Sequence, residues 1–391
     1  MNNPLWGDGW ADVRAAWSLD PTIAHLNHGS FGAVPVTVQE AQQRLRVDVE
    51  ANPNRFYGRL LMERLTNARR SVATFIGADI EGLAIIPNAT TGLSLALAAV
   101  PLGQDDEVLI TDHAYPAARH AAERACARSG SRLRVVALGL PPAEATEDEA
   151  AERWRSALFA VVGERTRVCL LERIASHTGL CLPVASWVDE LRARGVATIV
   201  DAAHVPGTLD EAPVGDFWVA SLHKWPCAPR GTGLLAVHPR WRAQLRPLAP
   251  TSDPAPAFPD NLAWWGTADY SGVLCAPEAL AFLGALGWST LRAYNRSLVR
   301  LGGATVAAAL GTSVALGDGF FATMALVPLP AGVATTRQAA LALVARIADE
   351  LRAEVAVASW GERGWLRLSA HAYNCPAEYE RLAGGLVRLL S

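Results

Sequence analysis

The chain carries a single primary side-chain amine, Lys224, at the end of Ser221-Leu222-His223-Lys224. That run closes an apolar stretch, Phe217 to Ser221, and precedes a Pro/Gly loop from Trp225 to Gly231. A lysine at a strand end forms a Schiff base once burial or a neighbouring charge strips its proton, whereas a guanidinium stays protonated and cannot. The other 34 of the 35 basic residues are arginine, so replacement of lysine stopped where a neutral amine is needed. A stray surface lysine would be indifferent to its neighbours, and this one lies beside a serine and a histidine. Asp201 closes a second, purely apolar run, Ala197 to Val200, with Ala202-Ala203-His204 following. A carboxylate there needs a partner, either the N–H groups of a turn or helix that it caps or a cation. A protonated pyridine nitrogen is such a cation, and the pair would keep a pyridoxal phosphate ring an effective electron sink.

Two more segments could hold such a group. Pro87-Asn88-Ala89-Thr90-Thr91-Gly92 joins a strand to a helix. Its N–H groups, helix dipole and threonine hydroxyls suit a phosphate, although an Asn or Thr cap serves any α/β protein equally well. Asp112-His113-Ala114-Tyr115-Pro116 ends the next strand and offers two rings, each able to stack on a planar cofactor or to pack as an ordinary aromatic.

These residues must be positioned by an α/β domain. Between about residues 82 and 238, seven short apolar runs (82–87, 107–111, 132–138, 167–171, 197–200, 217–221 and 233–237) alternate with helical patterns at 92–100, 117–128, 149–162 and 184–194. Such alternation predicts a mostly parallel seven-stranded sheet flanked by helices, with ligands beyond the carboxyl ends of the strands. The Pro, Ala, Ser and Asp cluster from Pro247 to Pro259 reads as a linker. A smaller C-terminal α+β domain follows, with helices at 277–287, 290–310 and 338–352, strands at 324–328, 355–358 and 365–369, and a terminal helix from Pro376. The expected division is a large domain over 20–255 and a small one made of 1–19 and 256–391.

Composition excludes several classes. The 391 residues are 51% hydrophobic and 19% charged, with a net charge of −3. A mildly acidic chain without basic runs does not suit a nucleic-acid binder. No apolar run reaches the roughly 18 residues of a membrane span, and Met1 to Trp17 lacks a secretory apolar core, so a cytoplasmic protein is expected. Six scattered cysteines show no metal-ligand spacing, and no metal is expected.

Taken in order, Asn-Ala-Thr, Asp-His-x-Tyr, Asp-x-x-His and Ser-x-His-Lys resemble the class V aminotransferase-like group of fold type I pyridoxal-phosphate enzymes, nearest its isopenicillin N epimerase-like branch. Further matches are Leu26-Asn27-His28-Gly29-Ser30-Phe31-Gly32, Gly266-Thr267-Ala268-Asp269-Tyr270, and Arg367-Leu368-Ser369 with Tyr373-Asn374. The resemblance implies pyridoxal 5'-phosphate bound to Lys224, which also moves the substrate's Cα proton, with Asp201 on the pyridine nitrogen. It implies Ser221, His223, Ala89 and Thr90 at the phosphate, and His204 and Ser176 near the ring hydroxyl. Either Tyr115 or His113 would stack on the ring. Thr267 would complete the phosphate site of a neighbouring subunit, hence a homodimer with shared active sites. Arg367 would clamp the carboxylate of an amino-acid substrate, a task suited to its planar fork. Asn27, His28, Arg55, Tyr57, His177 and the Trp264-Trp265 pair are candidates to line the substrate pocket.

The reaction is less constrained. A desulfurase needs a nucleophilic cysteine on a mobile loop, yet between Thr267 and Arg367 the chain has only Cys275, too close to Thr267 for that loop. The resemblance to this branch, which includes lyases of sulfur-containing natural products, together with the absent desulfurase cysteine, makes a carbon–sulfur β-lyase acting on a cysteine S-conjugate, in bacterial secondary metabolism, the leading expectation. An epimerase is the runner-up and needs a second acid–base group opposite Lys224, for which His177, His28 and Tyr57 are available. An aminotransferase or a decarboxylating oxidase ranks below these, and a non-catalytic binding protein lowest, since Lys224, Asp201 and Arg367 are all retained.

Overall fold

Strand residues whose two faces are both covered must be apolar throughout, and this is how the runs between residues 82 and 238 behave. The computed structural model describes residues 10–249, 256–314 and 316–391. The first nine residues, and 250–255 of the expected linker, lie outside the described residues. The strands are β1 Ala24–His25, β2 Leu83–Ile86, β3 Glu107–Thr111, β4 Arg132–Val136, β5 Thr166–Glu172, β6 Ala197–Asp201, β7 Phe217–Ser221, β8 Gly233–Val237, β9 Met324–Pro328, β10 Ala353–Glu354, β11 Ala356–Trp360 and β12 Arg363–Ser369.

Seven of them form one sheet in the order β2-β8-β7-β6-β5-β3-β4. The five strands from β7 to β4 run parallel, and only β8 runs against both of its neighbours. The mostly parallel seven-stranded sheet expected from the sequence is thus present. Alternate residues go to opposite layers. Val108, Ile110, Val168, Leu170 and Ile199 pack with the helices Ala89–Ala99 and Pro116–Ser129, whereas Leu109, Cys169, Leu171 and Val200 pack with Leu61–Ile76, Glu147–Phe159 and Ala185–Ala193. The parallel strands β3, β5, β6 and β7 end on the same edge, which places Thr111, Glu172, Asp201 and Ser221 side by side.

The C-terminal unit is a three-stranded antiparallel sheet, β11-β12-β9, covered by the helices Trp288–Ala309 and Pro376–Leu390. β1 pairs in parallel with β10, tying residues near the start of the chain to this unit. The sequence reading had no element for the helices Val36–Ala51 and Leu61–Ile76. The first buries only Val38 and Ala41, too little for a recognisable apolar stripe. Among the described residues no single helix is long and apolar enough to cross a membrane.

Candidate active site

The turn from β7 to β8 carries Lys224. Ser221 ends β7 and is buried, and the chain then folds back so that Cys227 N donates to Lys224 O at 2.9 Å, with Cys227 itself left-handed at φ 57°. The segment Gly29–Gly32 crosses this turn closely. A Cβ on Gly32 would lie 2.5 Å from the carbonyl oxygens of both His223 and Lys224, so only glycine fits there. The Lys224 Nζ comes to 3.1 Å of His204 Nε2. Burial, reinforced by the Arg367 charge and opposed by Asp201, lowers the amine to about 8. Burial also drives His204 well below the usual imidazole range.

Lys224 opens onto a cleft of about 240 Å³ whose wall includes Asp201, His204, Ser221, His223, Ala89, Thr90, Tyr115 and Ser176. Asp201, the last residue of β6, accepts from Ala203 N at 3.0 Å, and burial raises its carboxyl. Asn88 caps the helix Ala89–Ala99 by accepting from Thr91 N at 2.9 Å. The cap leaves the N–H groups of Ala89 and Thr90, the first two helical positions, without an intrahelical acceptor. An Asn cap is thus compatible with anion binding at the same helix start. His223 donates through Nδ1 to Thr232 O at 3.3 Å, leaving Nε2 as its free nitrogen, and burial lowers the ring to about 4.

Arg367, on β12, is buried. It donates to Asn27 Oδ1 and Ser30 Oγ, each at 2.8 Å, and to the carbonyl of Ser176. Ser30 and Ser176 belong to the cleft wall, so the guanidinium sits directly behind it. These partners are neutral oxygens, Nε has none, and burial pulls the group down to about 10. A buried cation held in this way is matched by an incoming carboxylate. Asn27 therefore orients Arg367, with Oδ1 also accepting from Ser30 Oγ at 2.8 Å.

Several residues singled out by the sequence lie elsewhere. His113 is buried, stacks on Trp360 with centroids 5.0 Å apart and bonds Gly139 O at 3.2 Å, so of the two rings only Tyr115 reaches the cleft. His28 lies under the Lys224 turn with both nitrogens engaged, Nδ1 with Tyr373 OH at 2.7 Å and Nε2 with Lys224 O at 3.0 Å. Arg55 is exposed at the end of a short helix, and Tyr57 donates to Ala268 O at 2.9 Å. Neither borders this chain's cleft, nor does exposed Thr267 or the Trp264-Trp265 pair. His177 is half-buried, 6.4 Å from the Tyr115 ring, and its imidazole is lowered by burial and by Arg367.

Sequence reasoning missed Glu172, which lines the cleft beside Asp201, its register partner across β5 and β6. It accepts from Thr111 Oγ1 at 2.5 Å through Oε2, while Oε1 is buried without a partner. Burial, with the Asp201 charge adding, raises its carboxyl to about 8. The available signal was a charged residue ending an apolar strand, as at Asp201.

Together these residues provide an amine of lowered basicity, a carboxylate at a strand end, paired helix N–H groups beside a serine and a histidine, and a buried guanidinium. That donor set fits pyridoxal phosphate, which presents an aldehyde, a basic ring nitrogen and a phosphate, and an amino acid bound by its carboxylate.

Residues 32–382 match the family model described as aminotransferase class-V. The chain is 33% identical over 399 residues to isopenicillin N epimerase of Streptomyces clavuligerus, covering 96% of this chain and 97% of the relative. It is 28% identical over 400 residues to a probable chloroplastic L-cysteine desulfhydrase of Arabidopsis thaliana, covering 94% and 84%. Among solved structures it is similar in fold to a cystine C–S lyase in complex with its product cysteine persulfide, with a TM-score of 0.76 at 19% identity, covering 94% of this chain and 98% of that one.

Proposed function

This chain belongs to the aminotransferase class-V family, and we propose on that premise that it is a pyridoxal-phosphate-dependent carbon–sulfur β-lyase acting on a cysteine S-conjugate. The observation that carries the proposal is the convergence of Lys224, Asp201 and Arg367 on one cleft. When bound, pyridoxal phosphate supplies an aldehyde that condenses with amines and a ring that draws electrons from the substrate's Cα. Asp201 would hold the proton of the ring nitrogen, and Tyr115 would cover the ring face. Ala89, Thr90, Ser221 and His223 would hold the phosphate. To donate through Nε2, His223 must take up a proton, which a dianionic phosphate favours. Arg367 would grip the substrate carboxylate, oriented by Asn27, Ser30 and Ser176. Lys224 would take the Cα proton, and the Cβ–S bond would then break with its electron pair leaving on sulfur.

Three observations bear on the choice of reaction. Cys275 is fully buried at the start of the helix Ala276–Leu286, with its thiol raised to about 11, so it is not placed to take up sulfur. The named relatives include a cysteine desulfhydrase, and the similar fold includes a C–S lyase. Of the three groups weighed as a second acid–base residue, His28 and Tyr57 have their polar atoms bonded away from the cleft. His177 keeps epimerisation as the second reading, favoured by the epimerase relative. Thr267, exposed and off its own cleft, supports a homodimer in which it completes the partner's phosphate site.

Incubating the cofactor-loaded enzyme with S-substituted L-cysteines separates the two readings. Release of thiol, pyruvate and ammonia in equal amounts is the expected outcome. Loss of optical rotation without pyruvate would overturn the lyase reading in favour of epimerisation.

A further inference from the structure

The indole of Trp225 is buried immediately after Lys224, and its Nε1 donates to His204 Nδ1 at 3.3 Å. An indole nitrogen carries a hydrogen and can only donate, so His204 Nδ1 must present a lone pair. His204 is fully buried, and burial, with the Arg367 charge adding, keeps the ring neutral. A neutral imidazole with a bare Nδ1 has its hydrogen on Nε2. That nitrogen is 3.1 Å from Lys224 Nζ. The contact is a hydrogen bond only if Nε2–H donates to the lone pair of a neutral amine. An ammonium would need the opposite tautomer, whose Nδ1–H would face the indole N–H.

We propose that Trp225 is a positioning residue that fixes the Nε2–H tautomer of His204 and thereby holds Lys224 as a free amine. The clamp is rigid. His371 Nε2 donates to the Trp225 carbonyl at 3.3 Å, the indole is 5.2 Å from the His28 ring, and Gly207, left-handed at φ 80°, leaves room where a Cβ would come within 3.3 Å of the Trp225 Cβ. The charged groups facing Lys224 oppose one another, Asp201 favouring the ammonium and Arg367 disfavouring it. Burial disfavours the ammonium most, and the tautomer of His204 acts in the same direction. A flexible histidine could turn over and accept from an ammonium, and the amine would lose reactivity at neutral pH.

The inference rests on Lys224 being the cofactor lysine only for its consequence, and its test begins on the apoprotein. Nitrogen-15 NMR of histidine-labelled apoprotein, with the His204 signals assigned by their loss in His204→Asn, reads the tautomer directly. At pH values above the Lys224 midpoint Nε2–H is expected, and an Nδ1–H tautomer there would overturn the proposal whether or not any variant folds. The rate at which apoprotein captures pyridoxal phosphate, trapped by borohydride, should rise with pH around a midpoint near 8 in the wild type. In Trp225→Phe, which keeps a ring and removes the N–H, that midpoint should move up by about one unit or more toward the ordinary lysine value of about 10.4. An unmoved midpoint in a folded Trp225→Phe protein also overturns it. Failure of wild-type apoprotein to capture pyridoxal phosphate, with the expected tautomer in place, would instead remove the functional reading and leave this inference standing.

Discussion

The turn from Leu222 to Cys227 has histidines on both of its sides, and burial keeps all of them neutral, yet the two sides do different work. On the cleft side, His204 meets the Lys224 amine and His223 keeps Nε2 free. On the underside, His28 and His371 stack with centroids 4.1 Å apart, and Cys227 Sγ lies 3.6 Å from His371 Nε2. The three ligand atoms of this trio lie within 4.8 Å of one another, a spacing that a metal would tolerate. The two nitrogens nearest the thiol offer it no lone pair. His28 Nε2 and His371 Nε2 each donate to a backbone carbonyl of the turn, His28 Nδ1 meets Tyr373 OH, and burial pushes the Cys227 thiol up. The underside is the scaffold that holds the turn, its nitrogens nearest the thiol engaged although His371 Nδ1 is buried without a partner, while the cleft side leaves the amine, the Arg367 Nε and the Glu172 Oε1 for a ligand. A buried residue's chemistry follows from which of its atoms remain without partners, since a satisfied polar group stabilises and an unsatisfied one binds or reacts.

This contrast can be broken or sharpened by substitution. Lys224→Ala should lower thiol release by about a thousandfold or more while leaving the melting temperature essentially unchanged. A collapse in stability instead would place Lys224 with the scaffold.

Glu172→Gln is next in size. The folded carboxyl titrates near 8 and the unfolded one near 4.5, so between those values the unfolded chain has lost a proton that the folded one keeps. Wild-type stability should accordingly fall as pH rises from about 4.5 to about 8. The variant, which can still accept from Thr111, should be more stable at pH 7.5 with a flatter profile. Denaturation midpoints across that range decide it, and parallel curves for the two proteins would show that Glu172 is ionised in the fold.

On the underside, Tyr373→Phe removes the donor to His28 Nδ1 and should cost about 1 to 3 kcal/mol of stability. The pH at which apoprotein captures pyridoxal phosphate should not move. A shifted midpoint would mean that the two sides of the turn are coupled electrostatically.

Much of the site was legible because its charges interrupt apolar strands. Lys224 and Asp201 stand out against Phe217–Ser221 and Ala197–Val200, and the fold puts both strand ends on one edge. Glu172 obeyed the same rule and was overlooked because the reading ended that strand at Leu171, one residue short. Ala89 and Thr90 gained meaning when the helix proved to start at Ala89 rather than Gly92, so that two first-turn residues line the cleft. The loop from Asp112 to Pro116 could not be resolved locally. His113 turns inward because Trp360, on a distant strand, packs on it, and Tyr115 is left to the cleft.

From its sequence alone this protein has one residue able to act as a free amine, apolar runs that dictate a covered parallel sheet, and strand-end charges that mark the binding edge. These are properties of residue type and local spacing, which covalent order determines. Partnership was decided only by the tertiary structure. His28 is occupied by residues 196 and 345 positions away, and the hydrogen of His204 is directed by an indole 21 positions on. Hydrogen bonds between such distant groups arise only after the chain has collapsed, and they determine which of nine chemically identical histidines can act.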